Sequence, residues 1–332
     1  MTLTEVLVVL AIFSIVIAVV YGVYVKGIKH TTREHRVAES EMELEILKNF
    51  LERDIALAGY GLADDYDFDS NGTQNFTPRA IGSANTDPDT LTLMGTALGR
   101  LSRGSQGWSY IMTATPTFKM WNDARENVQV NDRVIYVEPH TKTLLASGGN
   151  WRFIYPNSPT TERGSIVYGL TTEPQAGDPE ITQPYHIVQY TLGGTTPATC
   201  APGTQSLLRA ETSAPANPVL DCISDFQVAL GLDINEDGTI DCWDNGGVLA
   251  ATYDNRVLKK RLKQMKVYML AQIGMRDPET VVYPAGQSFR VGDNTLIACA
   301  GGTVGRDVPL TDVQRWYRWR VISLGITPRN LR

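Results

Sequence analysis

Met1-Thr2-Leu3-Thr4-Glu5-Val6-Leu7-Val8-Val9-Leu10-Ala11-Ile12-Phe13 opens an apolar run that continues from Val6 to Val25 without a charge, interrupted only by Ser14 and Gly22. As a helix rising 1.5 Å per residue the run spans about 30 Å, the thickness of a bilayer's hydrocarbon core. It reads as a segment held in a membrane. One acid, Glu5, sits at its edge. An ionised carboxylate at the centre of hydrocarbon costs roughly 2.5 kcal/mol or more, so it calls for a cationic partner, and the nearest is an amino terminus. Within one helix Met1 and Glu5 lie about 6 Å apart along the axis, whereas the amine of an axially shifted neighbouring chain meets the acid more squarely. Met1 and Glu5 are therefore candidate assembly residues. The simpler alternative is a signal anchor whose acid rests among lipid headgroups.

The order Met1-Thr2-Leu3-Thr4-Glu5-Val6 before an apolar helix resembles the mature amino terminus of type IV pilins and the related pseudopilins. That resemblance implies a leader cut away by prepilin peptidase after a glycine, and a subunit that waits in the inner membrane of a bacterium. Assembly machinery then moves it into an extracellular filament. Met1, Ser14 and Gly22 stand where the family usually has Phe, Gly and Pro. The basic residues Lys26, Lys29, Arg33 and Arg36 follow the run directly, and by the positive-inside rule alone they would place the rest of the chain in the cytoplasm. The implied leader would carry the cytoplasmic charge instead, and its removal is the expectation here. Three further stretches resemble PilW-type minor pilins and the J-type pseudopilins of type II secretion. They are Leu51-Glu52-Arg53-Asp54-Ile55-Ala56-Leu57-Ala58-Gly59-Tyr60-Gly61, Met265-Lys266-Val267-Tyr268-Met269-Leu270, and Tyr317-Arg318-Trp319-Arg320-Val321-Ile322-Ser323 with Arg329-Asn330. The chain's length suits the pilus-type subunit, and Glu5 argues against the tip-capping pseudopilin that lacks this acid.

Four cysteines, Cys200, Cys222, Cys242 and Cys299, all lie in the distal half. An even count in an exported domain points to two disulfides with three connectivities. Cys200 with Cys222 and Cys242 with Cys299 is the favoured pairing, and the others stay open. The alternative is four buried thiols in a cytosolic protein; no Cys-x-x-Cys spacing supports a zinc or redox motif. With 332 residues, 42% hydrophobic content and a net charge of -6, the part beyond the helix is large enough for one big domain or two lobes. Such mild, dispersed acidity gives no electrostatic case for nucleic acid as the main partner.

Val37, Leu44, Leu47, Leu51, Ile55 and Ala58 recur at helical spacing, with glutamates on other faces. One helix from about Thr2 to Ala58 would be roughly 85 Å long, greasy all round in its first half and amphipathic in its second. Gly59 and Gly61 end it, and Gly22 and Gly27 are where it could unwind. Seven short apolar runs then read as strands: 91–94, 110–112, 133–137, 187–190, 226–230, 266–271 and 319–326. The stretches 82–89 and 157–164 read as surface loops. No strand-helix alternation appears, so a parallel nucleotide-binding sheet is not expected. The expected fold class is α+β, pilin-like: residues 1–60 a long helix, with 1–25 its membrane or filament-core part, packed on an antiparallel β-sheet head over 61–332.

The strongest chemical motif is Asp233-Ile234-Asn235-Glu236-Asp237-Gly238-Thr239-Ile240-Asp241-Cys242-Trp243-Asp244. Its spacing lets a loop wrap a hard cation. Asp233, Asn235 and Asp237 would offer side-chain oxygens, Thr239 its carbonyl, Asp241 an oxygen directly or through water, and Asp244 would close the shell. Ca2+ fits these ligands, although the shorter Asp244 stands where a bidentate Glu is usual. The alternative is an Asx-rich turn without metal. A second acidic stretch, Asp64 to Gly72, lacks a closing ligand and reads as a solvated loop, and the glycan-acceptor triplets at Asn71 and Asn75 carry no weight. Arg315-Trp316-Tyr317-Arg318-Trp319-Arg320 has the composition that stacks bases, but guanidinium over aromatic on a sheet face is the commoner use. His30, His35, His140 and His186 form no metal motif, and no Gly-x-Ser-x-Gly, phosphate loop or His-Glu-x-x-His is present. The sequence thus reads as a non-enzymatic structural subunit of a type IV pilus-like filament, partnered by copies of itself or other pilins. The rivals are a low-copy subunit priming a pilus or secretion pseudopilus, and a monomeric membrane-anchored module for calcium or nucleic acid.

Overall fold

The computed structural model of the chain describes residues 2–64, 79–99, 107–115, 117–147, 151–170, 185–212, 214–277 and 279–331, and at 9, 11, 26, 30 and 33 the backbone alone. Met1, residues 65–72 of the second acidic stretch and the triplets at Asn71 and Asn75 lie outside the described residues, as do the side chains of Lys26 and Arg33. Helix α1 spans Leu3–Leu57 without a break at Gly22 or Gly27. Its 55 residues give a rod of about 82 Å. Gly59 and Gly61, at φ +81° and +66°, then turn the chain away, because only glycine takes that backbone region at no steric cost.

The 3-4-4-3 spacing of Leu44, Leu47, Leu51, Ile55 and Ala58 puts these side chains on one face of α1, and all are buried. Each leucine or isoleucine so covered contributes roughly 1.5–3 kcal/mol. What covers them is a sheet. After α1 the chain lays down β1 (Ile81–Ala84) and β2 (Thr90–Gly95), then departs to build β3 (Trp108–Thr113), β4 (Thr117–Phe118), β5 (Arg133–Val137), β6 (Phe153–Ile154) and β7 (Ile166–Gly169). Those five pair among themselves in the order β4-β3-β7-β5-β6. The chain returns with β8 (His186–Gly193), β9 (Gln205–Glu211), β10 (Asn217–Leu232) and β11 (Cys242–Asn245), a short helix α2 (Asn255–Arg261), β12 (Leu262–Ile273), the hairpin β13 (Ser288–Ile297) and β14 (Thr303–Pro309), and β15 (Arg318–Ile326). The main sheet runs β1-β2-β8-β9-β10-β12-β15, with β11 also on β10, and its ladders are antiparallel. The fold is α+β, a long helix on antiparallel sheet.

Strand alternation sets the two layers of core. Along β12, Met265, Val267, Met269 and Ala271 face α1, while Tyr268 and Leu270 face the other way and are covered by the β13–β14 hairpin through Val291 and Val304. The five-stranded sheet keeps a small core of its own, with Ile111, Val134, Tyr136 and Val167, and meets the end of α1 where Tyr60 packs edge-on against Tyr168. The C-terminus closes the same corner: Leu331 is fully buried and Asn330 Nδ2 donates to the Ala56 carbonyl at 2.7 Å.

The stretch 82–89 differs from the surface loop its composition predicts. Its first residues belong to β1, and Asp89 at its end is fully buried. Asp89 Oδ2 accepts the Val228 amide at 2.8 Å, while Oδ1 meets no donor among the described residues. Backbone pairing explains the difference, since the Asp89 amide donates to the Phe226 carbonyl and so extends β2 onto β10. Beside it, Arg306 forks onto the buried Asp225 at 2.7 and 3.0 Å and reaches Asp87 at 2.6 Å.

Candidate functional site

Among the described residues, nothing buries the apolar half of α1. Its most hydrophobic stretch has no buried residue, and Leu3, Phe13, Ile15, Tyr21 and Val23 each expose 60% or more of their surface. The large apolar side chains described from Val6 to Tyr24 each expose 42% to 68% of their surface, so this is not an amphipathic face awaiting one partner. The surface needs apolar surroundings in every direction, which a bilayer or a bundle of like helices provides. At its tip, Glu5 reaches back to accept the Thr2 amide at 2.8 Å, one half of a capping box. This contact uses Oε2 and keeps the carboxylate at the helix start.

Among the described residues, two ion pairs tie the far half of α1 to the head at its surface: Lys29 to Glu279 at 2.9 Å and Arg320 to Glu41 at 3.1 Å. A third is buried. Asp54 sits on the same face as Leu51 and Ala58, and its Oδ2 accepts Arg209 Nε at 2.7 Å and the Tyr190 hydroxyl at 2.8 Å. Burial pushes the Tyr190 hydroxyl up, which keeps it a neutral donor, and Arg209 also pairs with Glu211. An acid within an apolar stripe was the sequence signal for this cluster, which the motif reading passed over.

The acidic loop holds itself together with its own oxygens. Asp233 is fully buried; its oxygens accept the Asp237 amide at 3.0 Å and the Gly238 amide at 2.8 Å, and Lys263 Nζ stands 3.1 Å from Oδ2. Asp241 Oδ2 accepts the Ile234 and Asn235 amides at 2.7 and 3.1 Å. Asp237 Oδ1 takes the Thr239 amide and hydroxyl at 2.8 and 2.6 Å, bonds that hold its carboxyl below the ordinary range. Asn235 Nδ2 lies 3.2 Å from both Asp237 Oδ2 and Asp241 Oδ1. The five residues Asp233, Asn235, Asp237, Thr239 and Asp241 are thus together, with an amide and an ammonium donating where a cation would draw oxygens. The oxygen-rich donor set is of the kind Ca2+ takes, but the carboxylates of Asp233, Asp237 and Asp241 do not converge to within 4.8 Å of one another, and Lys263 occupies Asp233.

Asp244 is not with them. It lies within β11 opposite Leu230, on the inner face of the main sheet, and its oxygens accept the Leu249 and Ala250 amides at 3.0 and 2.6 Å. Strand pairing fixes this: the alternation that sends Trp243 outward sends Asp244 inward.

Disulfides join Cys200 to Cys222 and Cys242 to Cys299. The second ties the exit of the acidic loop to the end of the β13–β14 hairpin. In the basic aromatic segment, Tyr317 and Trp319 are buried, the Trp319 indole donates to the Gln314 carbonyl at 2.9 Å, and Arg276 rather than a base lies over Trp316.

No protein-family model matches the sequence, and a search of curated proteins finds no match. Among solved structures, the chain is similar to a type IV-like pilin from Thermus thermophilus at 10% identity and a TM-score of 0.34, over 88% of this chain and 98% of that one.

Proposed function

We propose that this chain is a non-enzymatic structural subunit of an extracellular, type IV pilus-like filament, assembled through its apolar helix. The observation that carries this reading is the exposure of every described side chain from Val6 to Tyr24, with a single acid at the tip of the run. A bundle of like helices replaces lipid contacts by equivalent apolar packing, so transfer from bilayer to filament costs little in apolar burial and is decided by packing and polar pairing. Glu5 supplies that pairing by meeting the amine of the next subunit. The chain resides in the inner membrane before assembly, where prepilin peptidase and the assembly machinery act on it, and its partners are copies of itself or other pilins. Its head, covalently braced by two disulfides, coats the outside. Within this reading the chain builds the body of a filament. A low-copy role in priming one is distinguished by the number of copies per purified fibre.

Glu5→Gln is the test. The variant should fold and enter membranes like the parent while fibre yield drops by about tenfold or more, the equivalent of losing one buried ionic contact of roughly 1.4 kcal/mol or above. Normal fibre yield would remove the assembly role of Glu5. The loop from Asp233 to Asp241 is read as a calcium site of the head, in which Asp233, Asn235, Asp237 and Asp241 give side-chain oxygens and Thr239 its carbonyl. Asp244 has no part in it.

A further inference from the structure

Sequence spacing gives no hint of one cluster that the five-stranded sheet creates. Strands β5 and β7 pair with Val137 opposite Ile166, so the turn leaving β5 and the loop entering β7 emerge side by side. Glu138 and His140 stand on the first, Glu162 on the second. One ligand atom from each, a carboxylate oxygen or an imidazole nitrogen, lies within 4.8 Å of the other two. Among the described residues this is the one group of three His, Cys, Asp or Glu side chains so arranged.

We propose that Glu138, His140 and Glu162 form a binding site for a first-row divalent metal ion of the zinc type. Two carboxylate oxygens and one imidazole nitrogen are the mixed donor set such ions take, whereas calcium and magnesium favour oxygen alone. Three protein ligands leave a coordination position for water, which the open surface at these residues supplies.

The surroundings prepare the ligands. The Thr141 hydroxyl and amide both donate to Glu138 Oε2, which orients the carboxylate and leaves its second oxygen unused by Thr141. The backbone fixes both loops. The Glu138 amide donates to the Thr143 carbonyl at 2.9 Å, the Lys142 amide to the Glu138 carbonyl at 3.1 Å, and the Gly164 amide to the Ile111 carbonyl at 2.8 Å. A Cβ on Gly164 would come within 3.6 Å of Pro139, which puts the two loops in ordinary contact. Hydrogen bonding that orients a ligating carboxylate is what tuned metal sites require. Thr141 is therefore a positioning residue for Glu138.

The inference stands apart from the filament reading, and its test uses the full-length protein in detergent, stripped of metal. Zn2+ is titrated in by calorimetry into the parent, His140→Ala, Glu162→Gln, Thr141→Val and, as a control, Asp237→Ala in the acidic loop. All the altered side chains lie at the surface or in a turn, and matching circular dichroism of the metal-free proteins establishes that each is folded. The parent and the control should bind one equivalent with the same affinity. His140→Ala and Glu162→Gln should each weaken binding by about tenfold or more, and Thr141→Val by about tenfold. Absence of saturable binding by the parent overturns the proposal, as does a loss smaller than tenfold in either ligand variant. Retained affinity in Thr141→Val alone overturns the positioning role.

Discussion

Asp89 offers the sharpest quantitative check on the way the head is held together. Its carboxyl is fully buried, with one oxygen on the Val228 amide and the other facing no donor among the described residues. Burial, with the nearby Asp225 and Asp87 adding to it, raises the carboxyl from the ordinary 3.8 to about 7 against the opposing pull of the Val228 amide and Arg306. The folded protein therefore binds this proton more tightly than the unfolded chain. The stabilisation is fully present below about pH 4 and is lost as pH rises through 7. Three units correspond to roughly 4 kcal/mol over the whole window, of which about 2.5 kcal/mol falls between pH 5 and pH 8. Asparagine keeps the acceptor for Val228 and cannot ionise. Urea midpoints of the full-length protein in detergent, followed by circular dichroism at pH 5 and pH 8, should show Asp89→Asn gaining about 2.5 kcal/mol on the parent as pH rises. Parallel pH profiles for parent and variant would refute the reasoning, for they would mean that Asp89 is charged in the fold or has found a cation.

The remaining expectations concern the helix and the loop. Asp54→Ala leaves Arg209 buried beside Tyr190 without its carboxylate, and should cost about 3 kcal/mol in the same denaturation assay, the lower end for a broken buried pair because Glu211 remains. A cost below 1 kcal/mol would show that the pair does not fasten α1 to the sheet. Calcium titrated against the parent should raise its melting temperature and leave Asp237→Ala unmoved; identical curves would reduce the 233–241 loop to a turn that bonds only to itself.

The long helix was legible because two properties follow one another along it: an uncharged apolar run to Val25, then the Leu44, Leu47, Leu51, Ile55, Ala58 stripe stopped by Gly59 and Gly61. The seven apolar runs all fall in strands, and Arg133 to Val137 is β5 to the residue. The hairpin β13–β14 escaped notice. Its polar, glycine-rich strands, Ser288–Ile297 and Thr303–Pro309, place only Val291 and Val304 fully inside, so their pattern resembles a loop until the back of the main sheet is there to receive them. Short α2 was hidden for a similar reason, since only its Asp254 cap, whose oxygen accepts the Val257 amide, marks it out from a run of basic residues.

The site was legible unevenly. Spacing placed Asp233, Asn235, Asp237, Thr239 and Asp241 in one loop, because a loop motif is local, and there they bond to one another and to the loop's amides. It misplaced Asp244, because the pairing of β11 with β10 outranks loop geometry three residues after the loop has ended. Asp54 with Arg209, 155 residues apart, and Glu138 with Glu162 are products of tertiary pairing that no local period records.

Direct evidence on the central claim comes from the fibres themselves. Electron cryomicroscopy of filaments sheared from cells producing this chain should find it in repeating copies, with residues 3–25 bundled along the axis and Glu5 of each copy beside the amino terminus of its neighbour. If the chain is instead confined to the membrane fraction as separate molecules, with that helix still in lipid and absent from every fibre, the account is contradicted.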